Sequence, residues 1–469
     1  PMRYLLLCLL TLGTASLNAQ MLPLKVHPNG RFLMKSDGSP FFYLGDTAWE
    51  LFHRCSRSDI DLYLRNRAAK GFTVVQCVLI GEIDGATTPN AEGNLPFEDL
   101  DVTKPNEDYF ALVDYVVSRA KEYGLYLGIL PTWGSHVEDK HGGYDNVQLF
   151  TPETAFAYGQ FLGERWKDEP HIFWIFGGDR GPEGHEEIWD RMAMGTHKGD
   201  GGRLMTYHIY GGRSSSENFH NAPWLDFNMF QSGHMHPAAP TFQMAAHDYG
   251  LSPAKPVLDG EPCYEGMPIA FDRAGARFGP FEIRRASYWS VFAGGCGITY
   301  GHNSIWQMKT DQRNGIIGAT QSWYEALDAP GSFQMRHLRN LMLSRPYFER
   351  IPDQSVLIDD GASWPAEGNE ANHIRACRDG SLREADASYI MVYYPYFYRV
   401  KINTESIPGK ELHIWWYSPR DGIAYSLGKY DNEGTFSLPW GRMITPGMGG
   451  SDWVLVIDDA SKGYGPPGR

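Results

Sequence analysis

The chain has 469 residues, of which 42% are hydrophobic and 14% aromatic, including 14 Trp and 26 Tyr. That is enough for an α/β barrel of about 250 to 330 residues together with a smaller module. A net charge of −14, from 42 Lys and Arg against 56 Asp and Glu, with no long basic run, argues against a nucleic-acid partner, because phosphate binding needs clustered cations.

The N-terminus reads MRYLLLCLLTLGTASLNAQ: one basic residue, an apolar stretch from Leu5 to Leu12, then small residues up to Ala19. This has the form of a signal peptide over residues 1–19, too short to span a bilayer, with cleavage after Ala19. Its presence predicts a secreted or periplasmic protein. Cys8 lies inside the apolar stretch rather than after it, which disfavours a lipid anchor. No later segment is long and apolar enough to cross a membrane. Of the cysteines beyond the signal, Cys55, Cys77, Cys263, Cys296 and Cys377 show no CxxC spacing, so a zinc cluster is not indicated and buried free thiols are expected, with a single bridge as the alternative.

Residues 22–40 predict a short β-hairpin closing the entry end of the barrel. FFYLGDTAW (41–49) then reads as a strand, and SRSDIDLYLRNRAAKG as a helix starting at Ser56 or Ser58 and stopping at Gly71. TVVQCVLI is a second strand, followed by a helix with Phe110, Val113, Val117 and Ala120 at helical spacing. LYLGILPTWG is the third strand, and Thr151-Pro152 opens the next helix. Further strands are HIFWIFGGD, RLMTYHIYGG, DFNMFQSGH, KPVLDGEP and CGITYGHNSIW, with helical segments between them that are weakest in the fifth and sixth units. Eight βα units over residues 20–349 predict a (β/α)8 TIM barrel; no GxGxxG follows the first strand to favour a doubly wound sheet. From Arg350 the texture changes to short β-like runs between Gly, Pro and Asp turns. This predicts an antiparallel β-sandwich over 350–460, with 461–469 as a disordered tail.

A TIM barrel carries its active site at the C-terminal ends of the strands. Those ends supply Asp46 and Trp49, Glu82, Trp133 and His136, Asp179, His208 and Tyr210, Gln231 and His234, Glu261 and Tyr264, then Tyr300, His302 and Asn303. Such a ring suits a polyhydroxylated ligand. Glycoside hydrolysis needs one carboxyl group protonated and a second ionised, and Asp179 and Glu261, on opposite sides of the mouth, are the expected catalytic pair. Glu261 follows its strand directly and is stiffened by Pro262, with Tyr264 and Tyr300 as candidate hydroxyl donors, which suits a nucleophile. Asp179 sits on a Gly-Gly approach beside Phe176, which suits the acid/base role. Asp259 remains the competing carboxylate on its strand. Asp46, Trp49, Trp133, His208, Tyr210, Gln231, His234, Tyr264, Tyr300, His302 and Asn303 are the expected substrate contacts, with a cap or core role as the alternative for Asp46 and for the aromatics. The histidines at 208, 234, 236 and 302 lack HExxH or tight ligand spacing, so neither a metal nor a cofactor is called for.

GRFLMKSDGSPFFYLGDTAWELFHR, GFTVVQ, PTWG, FGGD and LDGEPCYEG together resemble the apiosidase-like glycoside hydrolase family of Bacteroidetes. The C-terminal segment resembles the collagen-binding-type module that accompanies it, although nothing in residues 350–460 shows collagen-specific chemistry. The resemblance spans the mature chain and implies a TIM barrel with a β-sandwich. It also implies catalytic roles for an Asp after strand four and a Glu after strand seven, which are Asp179 and Glu261 here, and activity on apiosyl linkages to galacturonic acid in the pectin rhamnogalacturonan II. The expectation is a secreted, monomeric hydrolase of a pectic polysaccharide acting with retention. An endo-glucanase or mannanase is the runner-up, disfavoured by Gly-Asp where such enzymes carry Asn-Glu after strand four. A non-catalytic glycan- or matrix-binding protein is the alternative from another class.

Overall fold

A computed structural model of the chain describes residues 20–138, 144–145, 147–358, 370–396, 400–438 and 452–469. The expected signal peptide lies outside the described residues. Among those residues no helix is long and apolar enough to cross a membrane.

Eight parallel strands form the barrel: β1 (Tyr43–Thr47), β2 (Val74–Val78), β3 (Tyr126–Leu130), β4 (Ile172–Gly177), β5 (Met205–His208), β6 (Asn228–Gln231), β7 (Val257–Asp259) and β8 (Gly297–Tyr300). Ladders run from β5 back to β1, across to β8 and on to β6. A two-residue strand, Arg213–Ser214, adds antiparallel to β6. The β5–β6 seam closes without a ladder, through the Asp226 amide to the Met205 carbonyl at 2.9 Å and the Thr206 hydroxyl to the Phe227 carbonyl at 2.7 Å. All eight strands are buried throughout, which accounts for their continuous apolar runs.

The intervening helices are α1 (Arg57–Ala69), α2 (Glu107–Glu122), α3 (Pro152–Arg165), α4 (Glu186–Asp200), α5 (Ser216–Phe219), α6 (Thr241–Tyr249), α7 (Pro280–Phe292) and α8 (Pro330–Leu343). Local chemistry sets their starts. Ser56 and Asp59 form a reciprocal capping box for α1, and Thr151 and Thr154 do the same for α3 with Pro152 in its first turn. The weak fifth and sixth helical patterns correspond to the four-residue α5 and nine-residue α6. Within the barrel Gln76 ties four strands together beneath the mouth. Its amide oxygen accepts from the Tyr43 hydroxyl at 2.8 Å and faces the Thr299 hydroxyl at 3.4 Å, while its amide nitrogen donates to the Gly260 carbonyl at 3.0 Å. The backbone next to Glu261 is thereby fixed from below.

The N-terminal segment is a three-stranded antiparallel sheet, Leu24–Val26, Leu33–Lys35 and Pro40–Phe41, rather than a two-stranded hairpin. It sits where the strands begin: the Tyr126 hydroxyl donates to the Leu22 carbonyl at 2.7 Å, and Phe41 packs edge-on against Tyr126.

The C-terminal region has a six-stranded antiparallel sheet, in the order Ile351–Pro352, Arg375–Arg378, Tyr389–Tyr394, Trp453–Asp459, Glu411–Tyr417 and Ala424–Asp431. A small second sheet contains Leu357–Ile358, Lys401–Asn403 and Thr435–Phe436. Strand alternation divides its apolar residues between two cores. Met391, Tyr393, Trp415 and Val456 join the core of the barrel, while Ile390, Val392, Ile414, Trp416 and Leu455 form a separate one. Buried ion pairs seal the junction, Arg284 on α7 with Asp452 at 2.6 Å and Arg345 with Asp458 at 2.7 Å.

Residues 461–469, expected as a disordered tail, are instead docked. Arg345 lies over the Tyr464 ring and donates to the Gly465 carbonyl at 3.0 Å, and the Tyr464 and Ser388 hydroxyls are 2.8 Å apart. One aromatic ring and one buried cation outweigh the Gly/Pro composition that suggested disorder.

Candidate active site

The mouth of the barrel opens into a cavity of about 640 Å³. Asp179 and Glu261 both line it, with Trp49, Trp133, Tyr210, Gln231, His234 and Tyr264 of the expected contacts. A cleft of this volume, with a mainly apolar wall and a few convergent polar groups, is typical of a small-ligand site.

Asp179 reaches the cavity through three successive residues with positive φ: Gly177 (82°), Gly178 (122°) and Asp179 itself (52°). The glycines are needed for space as well as for backbone. A Cβ on Gly177 would lie 2.3 Å from the His208 carbonyl, and one on Gly178 would lie 2.8 Å from the Trp133 ring. A non-glycine residue held in this region is strained, and such strain concentrates at functional sites. The Asp179 side chain is 36% exposed, all of it consistent with its position on the cavity wall. Burial and then the charge of Glu261 push its carboxyl up to about 6.

Glu261 has the opposite protonation preference. Its Oε1 accepts from His234 Nε2 at 3.0 Å, and its Oε2 lies 3.0 Å from His208 Nε2, off the line of a hydrogen bond but in close electrostatic contact. Burial alone would raise this carboxyl, but the two imidazoles outweigh it and hold it at about 2. The Asp179 amide donates to His208 Nδ1 at 3.2 Å. That leaves Nδ1 bare and places the imidazole proton on Nε2, facing Glu261. His208 therefore connects the backbone of one carboxyl residue to the side chain of the other.

Trp49 and Trp133 pack with ring centroids 5.3 Å apart, and His208 lies 5.4 Å from the first and 5.9 Å from the second. His208 is fully buried behind this aromatic floor and does not line the cavity. Gln231 has a buried amide oxygen without a hydrogen bond, which it can offer to a bound hydroxyl group. The Tyr264 hydroxyl stands against the Glu261 carboxyl, and burial and that neighbouring charge push it well above its ordinary range.

Four other expected contacts are elsewhere. Asp46 and Tyr300 are register partners on β1 and β8, and their side chains point outward to the helix layer, because alternate strand residues face opposite sides. Asp46 pairs with Arg67 of α1 at 2.6 Å and accepts from the Tyr63 hydroxyl. The Tyr300 hydroxyl donates to Glu265 at 2.7 Å, so it is not a donor to Glu261. His302 caps the short helix Asn303–Trp306 by accepting from the Ser304 amide at 3.0 Å, and its Nε2 contacts Gln321 at 3.1 Å. Asn303 stands behind the wall, accepting from the Trp306 indole at 3.2 Å and donating to the Ile317 carbonyl at 2.9 Å; Trp306 and Ile317 are the residues that face the cavity. Asp259 hydrogen-bonds Ser232 at 2.6 Å, and burial pushes its carboxyl up to about 7, so it is tied down beside the site.

Glu82 and the apolar wall of Met235, Met244, Met267 and Phe271 also line the cavity. Only Glu82 had a sequence signal, as the end of the second strand; Met244 comes from α6, and Met235, Met267 and Phe271 from connecting segments with no periodicity to read. Among the described residues, one acidic cluster has metal-like spacing, Glu50, His53 and Asp84. The Arg54 guanidinium already bridges it, 3.1 Å from Glu50 and 2.8 Å from Asp84, which supplies the cation there. Cys55, Cys77, Cys263, Cys296 and Cys377 are free and buried.

A (β/α)8 barrel whose mouth brings together an aromatic floor and two carboxyl groups of opposite protonation preference defines the class as glycoside hydrolase. The comparisons with known proteins agree. Residues 27–349 match the family model "Apiosidase-like, catalytic domain", and residues 351–458 match the model "Putative collagen-binding domain of a collagenase". A solved "Glycoside hydrolase" is 34% identical, with 94% of this chain and 98% of that one covered and a TM-score of 0.84. A glycoside hydrolase family 5 protein from Bacteroides vulgatus is 32% identical, with 96% and 95% covered and a TM-score of 0.85. No curated protein sequence matches. The chain belongs to the apiosidase-like glycoside hydrolases.

Proposed function

We propose that this protein is a secreted, monomeric glycosidase that removes apiosyl residues from pectic rhamnogalacturonan II with retention of configuration. Glu261 is the nucleophile and Asp179 the acid/base. The observation that carries the roles is the split between the two carboxyls: Glu261 is held ionised by His208 and His234, while Asp179, on the same cavity, is pushed up to about 6. Asp179 gives its proton to the glycosidic oxygen as Glu261 attacks the anomeric carbon and the leaving alcohol departs. The resulting glycosyl ester is then opened by water, whose proton returns to Asp179. Trp49 and Trp133 form the platform for the apolar face of the sugar, and Tyr210, Gln231 and Tyr264 supply hydroxyl contacts. Among the described lining residues there is no Lys or Arg, which favours a neutral sugar such as apiose inside the cavity and leaves a galacturonate carboxylate outside it.

The pH dependence follows from the same split. Activity requires Asp179 protonated and Glu261 ionised, so kcat/KM should fall as pH rises through about 6, and the acid limb, set by Glu261, should lie near 2. His234→Ala removes one of the groups that keep Glu261 ionised, so its acid limb should move upward and its rate in the working range should drop about tenfold to a hundredfold. A profile rising with pH above 6 would reverse the assigned roles. The reading as a whole is tested by incubating the protein with a panel of pectic oligosaccharides and following products by NMR. Release of apiose with its starting anomeric configuration is expected; no release from rhamnogalacturonan II, with turnover of a different glycoside, would overturn the substrate.

A further inference from the structure

The cavity has a third carboxyl group that the two-carboxyl mechanism does not use. Glu82 follows β2 on the Gly81-Glu82-Ile83 turn and lines the cavity beside Trp133 and Asp179. Its placement is built by the turn. On one side the Gly81 carbonyl faces His136 Nε2 at 3.3 Å, and on the other the Ile83 amide donates to Glu50 Oε1 at 3.4 Å. The fit around Gly81 is tight: a Cβ there would stand 2.7 Å from a Glu50 carboxylate oxygen. Glu50 is itself pinned by His53 at 3.0 Å and Arg54 at 3.1 Å. The network of buried Glu50 and His53 with Arg54 and Asp84 therefore serves as the anchor of the turn that presents Glu82.

The three cavity carboxyls differ in their partners. Glu261 has two imidazoles, and Asp179 has the Arg180 guanidinium 3.5 Å away. No hydrogen bond or ion pair reaches the Glu82 carboxyl among the described residues. A third negative charge beside Asp179 and Glu261 is expensive even with the Arg180 guanidinium acting against it, and a carboxyl group in that position holds its proton more firmly.

We propose that Glu82 is a specificity-determining residue that binds the substrate as a neutral carboxylic acid, donating one hydrogen bond to a sugar hydroxyl and accepting one from another on the Asp179 side of the cavity. Burial first, and then the negative charges of Asp179 and Glu261, press the Glu82 carboxyl well above the ordinary range, in line with that state. A neutral Glu82 can stand beside Asp179 without disturbing its titration. It can also tell a polyol from an anionic sugar without any cation in the wall.

The inference rests on the proposed glycosidase reading, and its test separates the two. Steady-state kinetics on rhamnogalacturonan II oligosaccharides would compare the wild type with Glu82→Gln and Glu82→Ala. The Gln side chain keeps one donor and one acceptor, so Glu82→Gln should hold KM within roughly threefold, whereas Glu82→Ala should raise KM about tenfold or more with kcat changed far less. The alkaline limb near 6 should stay in place in Glu82→Gln. Equal losses in both variants, an unchanged KM in Glu82→Ala, or a downward shift of that limb in Glu82→Gln would overturn the proposal. If the wild type turns over no glycoside, the catalytic reading fails, and carboxyl 13C NMR at neutral pH still decides the state of Glu82. A protonated glutamate resonance present in the wild type and missing from Glu82→Gln supports the proposal; its absence from the wild type overturns it.

Discussion

Glu261→Gln is expected to lower kcat/KM by about 10⁴-fold or more, with fold and substrate affinity retained. The amide keeps the size of the carboxylate but cannot form the glycosyl ester. It also alters the contacts with His208 and His234, both 3.0 Å away, since an amide nitrogen turned towards either Nε2–H would oppose a donor with a donor. Asp179→Asn should lose about 10² to 10⁴-fold on natural linkages, where the leaving alcohol needs a proton. It should lose much less on a nitrophenyl glycoside, whose leaving group departs unprotonated. Azide, a small nucleophile that needs no general base, should partly restore turnover in Asp179→Asn and yield a glycosyl azide. If both variants kept activity within about tenfold of wild type, neither carboxyl would be doing the chemistry.

The second large effect falls on stability. Asp46→Ala is expected to destabilise the fold by about 3 to 5 kcal/mol, because it breaks a buried ion pair and leaves the partner charge behind. Asp46 and Arg67 are both fully inaccessible, and Arg67 has a second anchor in the Leu327 carbonyl at 3.0 Å. Removing the carboxylate strands the guanidinium between β1, β8 and α1 and takes away the acceptor of the Tyr63 hydroxyl. Urea denaturation should show the loss, while the folded fraction keeps its KM. A stable Asp46→Ala protein with a raised KM would instead put Asp46 in contact with substrate.

Asp46 also shows where a sequence can be read and where it cannot. The eight-strand pattern was legible because each strand is an apolar run closed by Gly, Pro or Asp, and the capped helices were legible from Ser56 and Thr151. Asp179 and Glu261 reach the cavity from positions just beyond their strands, where the chain has left the pleat. Asp46 and Tyr300 are still inside β1 and β8, so the two-residue alternation of the strand decides their direction, and it turns them to the helices. Position at a strand end is therefore not enough: Gln231, last in β6, lines the cavity, whereas His302 and Asn303, just beyond β8, do not. His208 illustrates a different limit: it was expected to touch substrate, but its place between Asp179 and Glu261 depends on the β4 and β7 ends lying across one barrel, a long-range relation without a local pattern. The docking of Tyr464 on Arg345 and the splitting of one sheet between two cores are likewise products of tertiary packing.

The central claim is that Glu261 forms a covalent glycosyl intermediate while Asp179 handles the proton. A 2-deoxy-2-fluoro apioside with a good leaving group should slow the second step and trap that intermediate, and peptide mapping by mass spectrometry would locate the label. The account predicts one sugar per chain, on the peptide carrying Glu261. A label on Asp179 or Glu82, or turnover of the natural linkage with inverted product and no label at all, would contradict it.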